Sequence, residues 1–356
     1  MEISKNFPGG NIRVLSIEGD RVLLANEIRD TMQDWFYWAF RVTGAAGRTI
    51  TFDFGEKPWV GYWGPAVSHD LSAWAWGGTV REDRKAFTYA FGPGEDDVYF
   101  CHDLLYSVER FARFAAEKGL CVSTLCKSEK GVDQPLVTLG EGEDTILLTS
   151  RHHACESTGT YVMEGILREF LEKPLPGVRI LAAPFIDMDG VMAGDQGKSR
   201  SPHDHNRDYT DAPTYASVRA VKALAEKEHI IYMLDLHSPW HLSGRNDVAF
   251  EVRKNVDMRP AQARFGELFE AECRADPAAF QYRTENDLDT GLEWNKEDVM
   301  SVASTGFFSH RAGVRLCFSL ETPYFGLPGN VVTQENLIEM GRCVARAIRS
   351  ARQEGV

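Results

Sequence analysis

The sequence lacks the features that mark several large classes of protein. No stretch approaches the 18 or so uninterrupted apolar residues of a membrane-spanning helix. The start, MEISKNFPGGNIRV, has no basic region followed by an apolar core, so we expect no secretory signal and a cytoplasmic protein. Blocks rich in lysine and arginine are also missing, and the formal net charge is -13. Electrostatics therefore argue against nucleic acid or an anionic membrane as the partner.

The cysteines lack the pattern of a disulfide framework. The seven cysteines are odd in number and scattered, and no two of them have C-x-x-C spacing. This usage is typical of reduced thiols in a reducing compartment. Small molecules, peptides or polypeptide tails are the partner classes that remain.

The first hundred residues are rich in aromatic and β-branched residues. Alternation of large apolar residues is clear around Phe52 and around Tyr89, with a period of two. That period is typical of half-buried strands. Residues 1–102 are therefore predicted to form a small antiparallel β-sandwich domain.

The pattern changes in the second part of the chain. From Leu104 the apolar residues follow helical spacing until Gly119, and strand-like runs then alternate with helical ones. We expect one helix to be opened by Pro213 and the last one to be capped by Thr333. This order predicts an α/β domain at 103–356, with a mixed, mostly parallel sheet flanked by helices.

The stretch TSRHHACESTG follows an apolar run and crowds several reactive side chains together. His153 and Glu156 have the spacing H-x-x-E, and both are good zinc ligands. The pair alone is a weak signal, because any polar turn can contain it. Cys155 with His152 or His153 would suit a thiol enzyme, but such close neighbours in sequence seldom face each other in the required way.

A second apolar run also ends in polar residues, in YMLDLHSPW. Asp235 and His237 lie two apart on this strand and therefore point the same way. Asp235 could then orient His237 or a neighbouring metal ligand. Since two strand ends of one sheet each offer ligands, the sequence predicts a joint metal site.

Two further motifs suit the binding and hydrolysis of a peptide. Asn206 and Arg207 place an amide beside a guanidinium, which is a good clamp for a carboxylate. The alternative is that Arg207 pairs with Asp208 or Asp211 at the surface. Glu321 follows another predicted strand and could be a general base, or could form an ordinary ion pair.

Taken in order, the stretches RHHACE, HDHNRDY, LDLHS and SLETP resemble the zinc carboxypeptidase family of carboxypeptidase A. The resemblance implies the zinc carboxypeptidase fold and one zinc ion with three protein ligands, His153, Glu156 and His237. It also implies that Asn206 and Arg207 hold the terminal carboxylate of the substrate.

Within this family the sequence is most similar to the cytosolic carboxypeptidase branch and its bacterial relatives, which carry a β-sandwich before the catalytic domain. The stretches DWFYWAFRVTG, AVSHDLSAW and VYFCHDLLYS resemble the strands and hinge of that sandwich. APFIDMDGVMAGDQG resembles a Pro-x-x-Asn-Pro-Asp-Gly-Val stretch of the branch, with Asp187 and Met188 in place of Asn-Pro. The resemblance covers most of the chain and implies that Glu321 is the catalytic base.

The sequence departs from the family pattern at two places. In the branch an arginine three residues after the glycine of this loop polarises the scissile carbonyl, but counting from Gly194 that position is Gly197. Lys198 or Arg200 could reach the same place, and we predict Arg200. The tyrosine that caps the substrate in carboxypeptidase A has no clear counterpart. Tyr282 is a candidate, with an ordinary core or surface position as the alternative.

The resemblance implies zinc-dependent hydrolysis of the C-terminal peptide bond, or of a side-chain isopeptide bond, in peptides or protein tails. Glu321 would take the proton of a zinc-activated water. Members of the branch often remove glutamates from acidic tails. Arg311 and Arg315 lie just before the proposed base and are candidates for reading an acidic side chain, with plain surface positions as the alternative.

Two other functions share parts of this pattern. Zinc-dependent deacylases of N-acyl amino acids use a similar order of H-x-x-E, N-R and D-x-H. They usually lack a leading sandwich, so the first hundred residues argue against them. A non-catalytic peptide-binding relative would keep the fold without the chemistry, but the expected ligands and the base are all present here.

Overall fold

The computed structural model describes residues 1–242, 244–296 and 302–356. Residues 1–102 contain the strands β1 (Glu2–Ser4), β2 (Arg13–Glu18), β3 (Arg21–Ala25), β4 (Ala39–Thr43), β5 (Thr49–Asp53), β6 (Ala66–Ser68), β7 (Ala75–Trp76), β8 (Thr79–Val80), β9 (Ala86–Ala90) and β10 (Asp97–Cys101). They form two five-stranded sheets, in the orders β1-β4-β10-β6-β7 and β2-β3-β5-β9-β8.

The two sheets enclose an aromatic core. Phe40 and Phe100 from one sheet meet Phe52 and Phe87 from the other, with the ring centroids of Phe40 and Phe52 5.1 Å apart. Phe52 and Phe87 belong to the alternating runs of the sequence pattern, and the inward faces of the two sheets bury together. The prediction of an antiparallel sandwich needs one correction, because β3 and β5 pair in parallel.

The rest of the chain alternates helices with strands. The strands are β11 (Cys121–Lys127), β12 (Asp133–Leu139), β13 (Asp144–Ser150), β14 (Val178–Ala183), β15 (His229–His237), β16 (Phe250–Arg253), β17 (Leu316–Glu321), β18 (Gly326–Leu327) and β19 (Asn330–Val331). The helices are α1 (Val108–Lys118), α2 (Thr158–Glu172), α3 (Met188–Ala193), α4 (Ala216–Lys227), α5 (Arg259–Ala275), α6 (Ser304–Ser309) and α7 (Gln334–Glu354).

A seven-stranded sheet forms the centre of this region, in the order β11-β12-β14-β13-β15-β17-β16. The four central strands are parallel, whereas β11, β12 and β16 join the edges in antiparallel pairs. This is the mixed sheet flanked by helices that the sequence predicted. The central strands β13 and β15 are buried on both faces, which explains their nearly continuous apolar sequences.

Successive residues of β13 point into different layers of the core. Ile146 and Leu148 belong to the cluster that also contains residues of α2, α5 and α7, whereas Leu147 packs with residues of α4 and α6. Helices α2 and α7 approach closely at Gly165 and Gly341. A Cβ atom at Gly165 would lie 1.9 Å from the carbonyl oxygen of Ile338, so this crossing requires glycine.

Several predicted boundaries can be compared with the structure. Thr333 caps α7, because its hydroxyl accepts from the backbone N–H of Asn336 at 3.1 Å, as predicted. Helix α4 begins at Ala216 rather than near Pro213, because the chain is still extended at Tyr215. The sequence patterns used here did not predict β11, β12 or α5. Among the described residues, no helix has both the length and the apolar character to cross a membrane.

Candidate metal centre

The predicted ligands meet at the carboxyl ends of the central strands. Strands β13, β15 and β17 are parallel neighbours, with Ser150 paired to Leu236 and His237 paired to Glu321. The chain therefore leaves β13 towards His153 at the same edge of the sheet where β15 and β17 end. This edge is where open α/β sheets commonly bind ligands.

Three buried side chains converge at this edge. Nδ1 of His153 lies 2.7 Å from Oε1 of Glu156, and Nδ1 of His237 lies 2.7 Å from Oε2 of the same carboxylate. One ligand atom from each residue lies within 4.8 Å of the others. Burial raises the pKa of Glu156, but the imidazoles and a nearby lysine outweigh it and hold that pKa well below its usual value. The carboxylate is thus ionised and available as a ligand.

Each of these imidazoles also faces an aspartate with its other nitrogen. Nε2 of His237 lies 2.9 Å from Oδ2 of Asp235, and Nε2 of His153 lies 3.6 Å from Oδ1 of Asp204. Carboxylates in this position fix the orientation of metal-binding histidines and raise their basicity. The sequence reasoning proposed this role for Asp235 but missed Asp204, which lies in the motif HDHNRDY.

Asp235 is the centre of a buried hydrogen-bond network. Its carboxylate accepts from the hydroxyls of Thr149, at 2.8 Å, and Ser304, and it faces Nδ1 of His152 at 2.9 Å. Burial raises its pKa, but His152 and His237 outweigh this and hold the pKa of Asp235 well below its usual value. The network holds an ionised carboxylate beneath the ligands.

The donor set fits a zinc ion better at His153, Glu156 and His237 than at the neighbouring group of His152, Asp235 and His237. Both nitrogens of His152 have partners, because Nε2 lies 2.8 Å from the hydroxyl oxygen of Tyr209. His153 and His237, in contrast, line a cavity of about 280 Å³. Two imidazoles and one carboxylate beside an open cavity match the ligand chemistry of hydrolytic zinc sites.

Glu321 lines the same cavity as the two imidazoles. It ends β17, next to His237 on β15. Burial and the nearby Glu156 carboxylate raise the pKa of Glu321, and His237 opposes this rise. A carboxylate whose pKa moves towards neutrality is a better general base near pH 7 than an ordinary glutamate.

Asn206 and Arg207 face this cavity from a short 3₁₀ turn, His205–Arg207. The amide oxygen of Asn206 accepts from the backbone N–H of Ser304 at 3.0 Å. Arg207 is exposed and forms no ion pair with any described residue. Asp208 does not pair with it, because its carboxylate instead contacts His203 and two backbone N–H groups. The guanidinium of Arg207 can therefore reach a carboxylate in the cavity.

The structure does not bring Arg200 to the cavity, which corrects the prediction that it polarises the carbonyl. Its guanidinium lies in ion pairs with Asp30, Asp187 and Asp195, at 2.8 to 3.6 Å. Lys198, the other candidate, does line the cavity. Its Nζ lies 3.3 Å from Nδ1 of His153 and 3.7 Å from Oε1 of Glu156.

Two other candidates, Cys155 and Tyr282, are buried residues without the chemical roles considered for them. Burial raises the pKa of the Cys155 thiol well above its usual value, and its sulfur is 3.9 Å from the hydroxyl oxygen of Tyr324. A protonated thiol with this neighbour is not a nucleophile. Tyr282 is 1% exposed, and its hydroxyl donates to Asp287 at 2.6 Å, so it is a core residue and does not cap the cavity.

The two arginines proposed to read an acidic side chain lie elsewhere. Arg311 pairs with Glu226 at 2.8 Å, and Arg315 precedes the first residue of β17, at the end opposite Glu321. Besides the motif residues, the described lining of the cavity includes side chains that no motif indicated, among them Lys254 and Trp294. Their contact with the site arises from loops whose path the sequence pattern does not reveal.

The chain is similar to several known proteins. The family model described as the cytosolic carboxypeptidase N-terminal domain matches residues 3–102. Cytosolic carboxypeptidase 2 of Danio rerio is 23% identical over 295 residues, which cover 69% of this chain and 37% of that protein. An uncharacterized protein of Zymomonas mobilis is 27% identical over 257 residues, which cover 67% of each chain. The chain thus matches little more than a third of that cytosolic carboxypeptidase.

Solved structures extend the likeness to the whole chain. A metallo-carboxypeptidase from Burkholderia cenocepacia has a TM-score of 0.82 and 20% identity, and the match covers 100% of both chains. A metallo-carboxypeptidase from Pseudomonas aeruginosa, in complex with (2-guanidinoethylmercapto)succinic acid, has a TM-score of 0.79 and 19% identity, and covers 99% of this chain and 100% of that one. The predicted resemblance is confirmed: residues 3–102 match the N-terminal domain model of the cytosolic carboxypeptidases, and the whole chain has the fold of these metallo-carboxypeptidases.

Proposed function

We propose that this protein is a zinc-dependent carboxypeptidase that removes C-terminal residues from peptides or protein tails. One observation carries the proposal. A single cavity is lined by His153 and His237, by Glu321, and by the clamp of Asn206 and Arg207. A metal site, a base and a carboxylate clamp around one cavity are the parts that exopeptidase chemistry needs.

The residues of the cavity have separate tasks in this reaction. Arg207 and Asn206 bind the terminal carboxylate, so the last peptide bond is placed at the carboxyl ends of the strands. His153, Glu156 and His237 would hold a zinc ion, which would supply Lewis-acid chemistry when bound. Glu321 takes the proton from the attacking water and passes it to the leaving amine.

Lys198 is the proposed cation for the negative charge that develops on the scissile carbonyl. Its ammonium group lies at the cavity wall, beside the ligands His153 and Glu156. A fixed positive charge at this point stabilises the oxyanion more than the neutral carbonyl. In this proposal Lys198, and not Arg200, stabilises the oxyanion.

Cationic side chains line the cavity. Lys198, Arg207 and Lys254 all line it, and Val252 and Trp294 add apolar walls. Lys198 has an acidic neighbour, because its Nζ lies 3.7 Å from Oε1 of Glu156, whereas Arg207 forms no ion pair with any described residue. Although the chain has a net charge of -13, the exposed Arg207 gives the cavity a cation that can attract an anionic group.

The proposal is tested with zinc-loaded protein and peptides that differ only in their last residue. Free C-terminal peptides ending in glutamate, leucine or lysine are compared with the same peptides as C-terminal amides. We expect release of one residue from the free peptides and none from the amides, and the three rates report which terminal residue is preferred. Arg207→Ala should raise KM roughly 10- to 100-fold, because a charge-assisted hydrogen-bond pair is lost.

Arg274→Ala is the matched control, because Arg274 is an exposed arginine on α5 that pairs with Glu270 away from the cavity. Its kinetic constants should equal those of the wild-type protein. Hydrolysis of N-acyl amino acids without any release from peptides would favour a deacylase instead. If zinc-loaded protein binds the peptides but leaves them intact, a non-catalytic relative would be favoured.

Metal removal should lower thermal stability as well as activity. Without a metal, Glu156 is a buried carboxylate between two imidazoles, and a ligand bound only by the folded state adds stability. We expect a chelator to lower Tm by roughly 5–10 °C and zinc to restore it. Differential scanning calorimetry measures the shift. His237→Ala protein should show no such response, and an identical Tm for wild-type protein with and without zinc would contradict the proposed site.

A further inference from the structure

The loop that carries Lys198 is held by the N-terminal region of the chain. We call residues 194–200 the Lys198 loop. Both carboxylate oxygens of Asp30 accept from its backbone, Oδ1 from the N–H of Gln196 at 3.1 Å and Oδ2 from the N–H of Gly197 at 2.8 Å. Oδ2 of Asp30 also accepts from Arg200 at 3.1 Å. One side chain thus fixes residues on both sides of Lys198.

A second set of contacts comes from the buried side chain of Gln196. Its amide oxygen accepts from the backbone N–H of Tyr37 at 2.9 Å, and its amide nitrogen donates to the carbonyls of Tyr37 and Glu27, at 2.9 and 3.0 Å. Further along, the backbone N–H of Met32 donates to the carbonyl of Ser199 at 3.1 Å. Residues 27–37 therefore follow the Lys198 loop along its length.

The opposite side of the Lys198 loop contacts the segment that carries the proposed ligands His153 and Glu156. Gly197 has a φ of +75°, and a Cβ atom there would lie 2.0 Å from the backbone nitrogen of Ala154. The backbone N–H of Cys155 donates to the carbonyl of Gln196 at 3.3 Å. The loop lies between residues 27–37 and the segment that carries His153 and Glu156, so any shift of residues 27–37 moves Lys198 relative to those ligands.

The ammonium group of Lys198 also touches the N-terminal region. Its Nζ lies 5.8 Å from the ring centroid of Trp35, within the range of a cation–π contact. Trp35 is 7% exposed and packs edge-on against Trp240, with centroids 4.8 Å apart. The ring therefore has a fixed position, and it limits where the flexible lysine side chain can go.

We propose that residues 27–37 are a positioning element of the catalytic centre, in which Asp30 fixes the Lys198 loop and Trp35 places the ammonium group beside the metal ligands. The inference rests on the proposed function, because it assigns to the N-terminal region an effect on the reaction that passes through Lys198. Asp30 and Trp35 are positioning residues in this scheme and touch no reacting atom.

A double-mutant cycle with zinc-loaded protein tests the effect on the reaction. Asp30→Asn should lower kcat about tenfold, which corresponds to about 1.4 kcal/mol, and should change KM less than about twofold. In a Lys198→Ala background, the same change should lower kcat less than about twofold, because its target is gone. An equal factor in both backgrounds would overturn the proposal. Trp35→Ala should behave like Asp30→Asn, whereas Trp35→Phe keeps an aromatic face and should retain kcat within about threefold.

Hydrogen exchange of the zinc-free protein tests the positioning itself, without reference to activity. In Asp30→Asn, the amides of Gln196 and Gly197 should exchange at least about tenfold faster. Asp34→Asn is the matched control, because Asp34 lies in the same segment but pairs with Lys57 at the surface. Its exchange and kinetics should equal those of the wild-type protein. Unchanged exchange in Asp30→Asn would overturn the proposal. Wild-type protein that releases no terminal residue would instead refute the proposed function, and faster exchange in Asp30→Asn would still support the positioning element.

Discussion

Glu321→Gln is expected to lower kcat about a thousandfold or more, because glutamine keeps the shape of the side chain but cannot take a proton from the attacking water. Glu321 ends β17 beside His237 and lines the cavity that also contains the proposed carboxylate clamp. We do not expect zinc content to change, because Glu321 is not among the proposed ligands. Steady-state kinetics and metal analysis of the same preparation measure both quantities.

The control for this variant is Glu293→Gln. Glu293 lines a neighbouring cavity that Glu321 also lines, and it pairs with Arg245 at 2.8 Å, so the same chemical change is made near the base without removing it. This protein should keep kcat within about twofold, as surface substitutions usually do. Full activity of Glu321→Gln with zinc bound would show that another group takes the proton.

Asp235→Asn should have the largest effect on the metal centre itself. Its carboxylate accepts hydrogen bonds from Thr149 and Ser304 and faces His152 and His237, all of them buried. An amide cannot hold both imidazoles, so we expect zinc affinity to fall about 10- to 100-fold. The unfolding free energy should fall by about 3 kcal/mol, because a buried charge network loses one partner. Zinc titration and denaturant unfolding at pH 7 measure the two effects.

The sign of the pH dependence follows from the pKa of Asp235. That pKa is held well below its usual value in the folded protein, by His152 and His237 against the effect of burial. The stabilisation is therefore complete above the unfolded pKa of about 3.9 and is lost as the pH falls towards the folded pKa. The difference in stability between wild-type protein and Asp235→Asn should shrink over the same range.

Asp208→Asn separates metal binding from general destabilisation. Asp208 is also fully buried, and its carboxylate contacts His203 and the backbone N–H groups of Thr214 and Tyr215. We expect a comparable loss of stability but unchanged zinc affinity. Equal zinc affinity in wild-type protein and Asp235→Asn would contradict the orienting role of Asp235.

Periodic segments of the sequence predicted their structures well. The alternation around Phe52 and Tyr89 became β5 and β9, and Thr333 caps α7 as predicted. These predictions succeed because burial of one face is decided locally by the spacing of apolar residues. The parallel pairing of β3 with β5 was not predictable in this way, because pairing depends on which strands meet after the chain has turned.

In the candidate site, too, local spacing predicted some positions and tertiary packing decided others. H-x-x-E places His153 and Glu156 within one turn of chain, and the structure brings their side chains into contact. The choice between Lys198 and Arg200 was different, because the two are only two residues apart and both are cations. Arg200 is held by three aspartates, one of which comes from the N-terminal region, so of these two cations only Lys198 lines the cavity.

The sequence by itself determined the kind of chemistry that this protein can perform. Its imidazoles, carboxylates, amide and guanidinium occur in short motifs, and the properties of those groups belong to the residues wherever the chain places them. Only the tertiary structure decided which of Lys198 and Arg200 lines the cavity, that Asp204 faces His153, and that residues 27–37 hold the Lys198 loop. Those contacts join residues far apart in the chain, and their distances depend on how the two regions pack rather than on local spacing.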